Sequence, residues 1–441
     1  MDQSRREFLT NTAWKGAAAM AAVGAAKCGM GMLPSEQAAY DKYNAMTIPR
    51  PDGLLDGEPM LQVPAPDSMG VAFAVTALAN GFVEIADNPQ MNGAVRFMAE
   101  GMPLAGIDDR VLQVRLTGLK SGTKYWYRAG AAKLEHPIGY WTKPSEIVWS
   151  AVHTFVTPGE NAPSHFGMMC DTHAHFEQMG KITKKYRELG VPLMVWNGDI
   201  PYSLTNKRED FVKHYLVPPH NAGYAADTPI VLNRGNHDYR GTAVKRLGEV
   251  MMPRLPAERS MRDFALDRNF AFRMGEIALI GLDTGEDKPD HHPANGGFSR
   301  FTPFRIAQAA WLKDQFKRPE IANAPYVVAF VHIPLIELWP GANPGTLLED
   351  YAVWQKECAD LWGPILTENK AQLVLAGHVH RYRYDAATPT RSWAEIIGGG
   401  RGESTFQTLV EGKVENGRLV MRVHNTDAGT VVGEHFFAPR A

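Results

Sequence analysis

The sequence has three cysteines in 441 residues, Cys28, Cys170 and Cys358, too few for a disulfide framework. Cys170 ends an apolar run and Cys358 lies in a helical pattern, so both read as buried thiols. Excess charge is also missing. Lys and Arg number 46 against 48 Asp and Glu, a formal net charge of -2. There is no long basic stripe and no basic patch with interleaved aromatics, which argues against nucleic acid and against an anionic membrane surface. No apolar run is long enough to span a bilayer, the alanine-rich stretch at 17–26 being short and interrupted. A small or soluble substrate is what remains. The hydrophobic fraction of 44% suits a globular protein, and the length suits two domains plus a processing segment.

Ahead of the alanine-rich stretch stands "SRREFLT", residues 4–10. Arg5 and Arg6 with Phe8 and Leu9 resemble the twin-arginine signal, which carries folded proteins across the bacterial inner membrane. The resemblance implies a signal and linker over residues 1–40, cleavage near Ala26, a contact with the twin-arginine translocase during export, and a periplasmic or secreted location. Lys27 does not suit the small-residue site that lipidation at Cys28 would need.

From residue 49 to 158, short β-rich runs alternate with glycine, asparagine and proline breaks. In "VLQVRL", Leu112, Val114 and Leu116 face one way while Gln113 and Arg115 face the other, which predicts an all-β sandwich. "GLKSGTKYWYRAG", residues 118–130, resembles the turn and tyrosine-bearing strand of a fibronectin type III-like domain, and so implies Leu119 in the core and Tyr125 at the corner. No acid, base or metal cluster appears in this region, which reads as a support or a lid wall. After a Pro and Gly linker, residues 163–441 alternate apolar strands with helical segments, predicted over 176–189, 305–316 and 351–369. That is an α/β layered domain. The tail returns to strands, with an Asn-Gly turn at Asn416 and Gly417, and is expected to complete a second sheet.

Ligands of open α/β sheets gather beyond the carboxyl ends of strands. "FGMMC" is followed by Asp171 and His173, "LMVWN" by Gly198 and Asp199, and "IVLN" by Gly235, Asn236, His237 and Asp238. "VVAFV" is followed by His332, and "LVLA" by Gly377, His378 and His380. One Gly-Asp or Gly-His after a strand is commonly a turn or a helix cap. Five in series point to a two-metal site, because carboxylate, amide oxygen and imidazole together suit zinc, iron or manganese. On a tight turn after glycine, His378 and His380 can splay toward two neighbouring ions.

The series "DTH", "GD", "GNHD", "HIP" and "GHVH" resembles the calcineurin-like metallophosphoesterases, and with the sandwich ahead of it is most similar to a bacterial purple acid phosphatase-related enzyme. The resemblance implies a four-layer α/β fold, two β-sheets flanked by helices. It implies two metal ions (Fe, Zn or Mn), one held by Asp171, His173 and His380 and the other by Asn236, His332 and His378, with Asp199 bridging. His237 would face the substrate with Asp238 as its orienting partner. "GDIPY" also fits the purple enzymes' iron-binding tyrosine; His173 is preferred as ligand, with Tyr202 as a wall or outer group.

The implied function is hydrolysis of a phosphate monoester, as in an acid phosphatase, by attack of metal-bound hydroxide, with His237 acting on the leaving oxygen. Candidate substrate contacts are His175, Arg240, His291, His292 and Trp339. The alternatives are a phosphodiesterase acting on nucleotides or phospholipid head groups, an exported phosphatase of the alkaline phosphatase D type, and, from another class, a non-catalytic extracellular binding module.

Overall fold

The computed structural model describes residues 34–49, 51–101, 104–202, 204–221, 223–254, 259–260, 264–339, 352–400 and 406–440. The twin-arginine-like segment, Cys28 and the expected helix start at Tyr351 lie outside them. Residues 34–40, assigned above to a linker, belong to a helix, α1 (Pro34–Ala45). It docks through Tyr40 and Tyr43, which meet Trp141 edge-on with centroids 6.5 and 5.7 Å away.

The β-rich region forms two packed layers. One holds β1 (Met60–Ala65), β2 (Ser68–Ala74) and, further along the chain, Val111–Thr117; the other is built on β3 (Ala79–Ala86) and β4 (Val95–Met98). Numbering onward, Val111–Thr117 is β5, and β6 (Lys124–Ile138) and β7 (His153–Val156) join the second layer. Val71, Phe73, Val83, Leu112, Val114, Leu116, Tyr127 and Phe155 fill the space between. Leu119 packs on this core, and the Tyr125 hydroxyl accepts the Lys120 N–H at 2.9 Å.

The α/β region continues with β8 (His165–Met169), α2 (Phe176–Glu188), β9 (Met194–Asn197) and β10 (Ile230–Asn233). Next come β11 (Phe270–Met274), β12 (Ile277–Gly281), α3 (Phe301–Gln315), β13 (Tyr326–Phe330), α4 (Lys356–Glu368) and β14 (Leu373–Ala376). The chain closes with β15 (Arg383–Asp385), β16 (Ala394–Ile397), β17 (Thr408–Glu415), β18 (Arg418–Asn425) and β19 (Thr430–Phe437). Among the described residues no helix is long and apolar enough to cross a membrane.

Four layers follow from where alternate side chains go. In the first sheet, Phe166, Met168, Val195 and Val231 face inward, and meet Leu279, Val328, Phe330, Leu373 and Leu375 of the second sheet. Met169, Met194, Trp196, Ile230 and Leu232 face outward, under the Met179, Ile182 and Tyr186 stripe of α2. On the far side, Val327, Ala329, Val374 and Ala376 meet Trp311 and Leu312 of α3 and Trp362 and Leu366 of α4. Parallel strands β8 to β10 and β12 to β14 are buried on both faces, which is why they read as short unbroken apolar runs.

One expectation needs correction. The tail does not join one sheet: β16 pairs with β14, while β17 pairs with β8 and extends the first sheet through β18 and β19. The Asn-Gly turn is as expected, with φ of 51° at Asn416 and 70° at Gly417. One β-rich layer is continuous with the first sheet. Strand β1 runs parallel to β10, Gln62 beside Ile230, so the first sheet is nine-stranded, in the order β19-β18-β17-β8-β9-β10-β1-β2-β5. Gln62 fastens the join by donating to Val250 O at 3.0 Å and accepting the Met252 N–H at 2.8 Å.

Candidate metal centre and active site

The five polar clusters meet at one place, past the carboxyl ends of β8, β9 and β10 in one sheet and β13 and β14 in the other. Two buried amides lace the sheets together just beneath. Asn197 Nδ2 donates to Val331 O at 2.6 Å, and Asn233 Nδ2 donates to Asn197 Oδ1 at 2.9 Å and Leu282 O at 3.1 Å. The turns above are sharp. Asp171, His173, Asp199, His378 and His380 have φ between 44° and 71°, a left-handed region that costs a non-glycine residue about 1–3 kcal/mol. Glycine makes the close approach possible. A Cβ on Gly198 would lie 2.5 Å from both Gly235 N and His332 Nδ1, and one on Gly235 would lie 2.4 Å from Asp199 Oδ1.

Asp171, His173, Asp199 and His380 each offer a ligand atom within 4.8 Å of the others, and Asp199, His332 and His378 form a second such group. Asp199 belongs to both. Asn236 joins the second group, with Oδ1 3.0 Å from His378 Nδ1. The outer imidazole nitrogens are held by backbone carbonyls: His173 Nδ1 by Pro201 O at 3.3 Å, His332 Nδ1 by Asn197 O at 2.8 Å, and His378 Nε2 by Ala352 O at 2.8 Å. A carbonyl can only accept, so each of these rings keeps a proton outside and can give the lone pair of its inner nitrogen to a cation.

These inward atoms fit a pair of cations. His173 Nε2 faces His380 Nε2 at 2.9 Å, and His378 Nδ1 faces an amide oxygen, contacts between acceptors that a shared positive charge relieves. His332 is fully buried, and its Nε2 has no hydrogen-bond partner although it lies 3.2 Å from Asp199 Oδ2 and 4.0 Å from Asp171 Oδ1. Burial alone would depress that imidazole, yet the Asp199 and Asp171 carboxylates hold it up at about 10, a measure of how strongly this spot favours positive charge. Burial pushes His173 and His378 down to about 3, keeping them neutral as ligands must be. Cys170 adds no thiolate, since burial and the adjacent Asp171 push its thiol well up. Carboxylate, amide and imidazole donors of this kind suit iron, zinc or manganese.

His237 stands at the edge. Its Nδ1 faces Tyr202 O at 3.1 Å, and its Nε2 lies 3.0 Å from Arg240 Nη1 and 3.9 Å from Asp199 Oδ2. The expected Asp238 to His237 pairing is not there. One Asp238 oxygen accepts the Gly235 N–H at 2.7 Å and the Asp199 N–H at 3.0 Å, and the other accepts the Tyr215 hydroxyl at 2.5 Å. Asp238 lies in a single 3-10 turn, residues His237–Tyr239, so consecutive side chains diverge: His237 goes to the cleft and Asp238 back under the loop. Tyr202 is 54% exposed, edge-on to His173 at 5.7 Å and stacked near His237 at 6.4 Å, so it walls the site beside His173.

A cleft of about 310 Å³ opens over the centre, lined by Asp199, Asn236, His237, His378 and His380 and by Arg240 and Trp339. His175, His291 and His292 lie outside that lining. His175 precedes α2, and His292 Nδ1 accepts the Ala294 N–H within its own loop. Asp287 and Lys288, which open the loop "DKPDHHPANGG" that carries His291 and His292, do line the cleft, as does Arg381, which sequence reasoning missed. Arg240 donates to Glu286 at 2.7 and 3.0 Å and to Asp287 at 3.1 Å, and Lys288 donates to Asp287 at 2.8 Å. Burial and the Glu286 carboxylate push Asp287 up, while Arg240 and Asp287 hold Glu286 down against burial, so the pair prefers to carry one proton.

Comparison with known proteins agrees with this geometry. Residues 165–382 match the family model described as calcineurin-like phosphoesterase. Purple acid phosphatase 5 of Arabidopsis thaliana is 31% identical over 93 residues, 21% of this chain and 20% of its own length. The protein named Probable purple acid phosphatase 20, of the same plant, is 23% identical over 268 residues, 60% of this chain and 53% of its own. The matches thus reach across about a fifth and about half of those relatives. A purple acid phosphatase structure from yellow lupin (Lupinus luteus) seeds superposes with a TM-score of 0.59 at 12% identity, covering 86% of this chain and 74% of that one, and so shares the fold. Residues 165–382 are thus similar to the calcineurin-like phosphoesterases, and the chain is similar over part of its length to purple acid phosphatases and shares the fold of one.

Proposed function

We propose that this protein is an exported phosphomonoesterase with a two-metal centre. The observation that carries the reading is the convergence of seven donors from five strand ends on one point, with the buried His332 Nε2 left unbonded. Asp171, His173 and His380 would hold one cation, Asn236, His332 and His378 the other, and Asp199 would bridge. Cations held there supply the charge that polarises a phosphoryl group and makes hydroxide available near neutral pH.

The chain's own residues do the rest. Tyr202 O fixes His237 with Nε2 toward the cleft, and Arg240 is held against His237 by Glu286 and Asp287. A phosphate in the cleft would draw the Arg240 N–H to an ester oxygen. The added negative charge would favour a proton on His237 Nε2, which then serves the leaving oxygen. Export through the twin-arginine route and a fibronectin III-like identity for the sandwich belong to the same reading. The first is supported by Arg5 and Arg6, the second by the Tyr125 hydroxyl at its corner.

The test is hydrolysis of an aromatic phosphate monoester and the matching diester, side by side, by metal-loaded protein and by protein stripped with a chelator. The expected result is metal-dependent turnover with a strong monoester preference. A diester preference would move the function to a phosphodiesterase, and no turnover of either would remove the hydrolase reading.

A further inference from the structure

The charges around the cleft balance unevenly. Arg240 is matched by Glu286 and Asp287, and Lys288 by Asp287. Arg381 follows directly on His380, is exposed, lines the same cleft, and has no partner for its guanidinium among the described residues. The same lining includes the apolar Val379 and Val353 and the 46% exposed Trp339. The reacting phosphate already has the two-metal centre and Arg240. A further cation in the same lining, in contact with no carboxylate among the described residues, is free to meet a group that the reacting phosphate does not provide.

We infer that Arg381 forms a subsite for a second anionic group on the substrate's leaving group, a carboxylate or another phosphate, carried on an organic body that lies against Trp339 and Val379. The substrate class is then a phosphate ester with two separated anionic centres. This rests on the phosphate-ester reading above. A guanidinium suits the role because its planar fork takes carboxylate or phosphate oxygens two at a time. Its exposed position also lets it draw such a molecule in before the ester reaches the centre.

Calorimetry on the full chain loaded with zinc tests this with two non-hydrolysable probes, phenylphosphonate and 4-phosphonobenzoate, which differ by one carboxylate. The second should bind about tenfold more tightly. Arg381→Gln should bring the ratio of the two affinities close to one, and Arg381→Glu should invert it. A ratio near one in the unaltered protein, a ratio that survives both substitutions, or no binding of either probe would overturn the inference. If the ratio holds but no phosphate ester is hydrolysed, the anion subsite stands and the hydrolase reading falls.

Discussion

Asp238 separates two accounts of the site most sharply. In the structure its carboxylate ties Gly235, Asp199 and Tyr215 together and makes no contact with the His237 ring. Asp238→Ala would leave two backbone N–H groups and a hydroxyl, all buried, without acceptors. At about 1–3 kcal/mol for each unsatisfied donor, the loss is roughly 3–9 kcal/mol, a large part of the whole stability of a typical domain. Asp238→Asn can keep its amide oxygen on the two N–H groups and turn its NH₂ toward Tyr215 Oη, which accepts once its hydrogen rotates away. Only the charge assistance is then lost, about 1–2 kcal/mol. Urea unfolding of the metal-free variants should therefore rank wild type above Asn and Asn well above Ala. A chelator competition should show the Ala variant losing metal, because the Asp199 turn is no longer pinned. Turnover by the Asn variant should stay within about tenfold of wild type. If Asp238 instead fixes the His237 tautomer, the Asn variant would keep its stability while turnover falls by orders of magnitude, as when a histidine loses its orienting carboxylate. That result, or an Ala variant as stable as the Asn variant, would refute the reasoning.

The remaining expectations are shorter. Burial pushes the Glu395 carboxyl up from 4.5 to about 8 even though it accepts the Leu335 and Ile336 N–H groups. Its contribution is full below pH 4.5 and lost as pH rises through about 8, at about 1.4 kcal/mol per pH unit; the pH dependence of unfolding should flatten by that slope in Glu395→Gln. His237→Ala should retain metal by elemental analysis and lose about a hundredfold to ten-thousandfold in turnover; unchanged turnover would remove His237 from the reaction. Asp199→Asn should lose metal and rate together, and a variant with full metal content would show that Asp199 does not bridge. Iron-loaded protein should show no tyrosinate band, whereas a visible band lost in Tyr202→Phe would make Tyr202 a ligand.

The sequence exposes the candidate metal ligands because each is local to its own strand end, an apolar run followed directly or after a glycine by a donor. The strand assignments hold for the same reason, since burial on both faces writes itself into unbroken runs such as "IVLN" and "LVLA". What stays hidden is pairing across the chain. Nothing near Gln62 says that β1 will lie beside β10, and the alternation in 408–437 says which face is buried but not which sheet edge those strands take. The sequence pairs Asp238 with His237 because the two are adjacent, whereas its partners are the Gly235 N–H three residues back, the Tyr215 hydroxyl 23 away and the Asp199 N–H 39 away. The acidic group at the cleft is a different case. Strand β12 is also followed by a polar cluster, Asp283, Thr284, Gly285, Glu286 and Asp287, to which the strand-end rule applies equally but which offers neither imidazole nor amide to complete a ligand set. Asp283 accepts from Arg234 and from the Tyr239 hydroxyl, on either side of the "GNHD" turn, and Glu286 with Asp287 holds Arg240. A strand end therefore has to be read for the charges that brace a ligand loop as well as for the ligands, because the carboxylates that position Arg240 arrive by the same route as the groups that would hold metal.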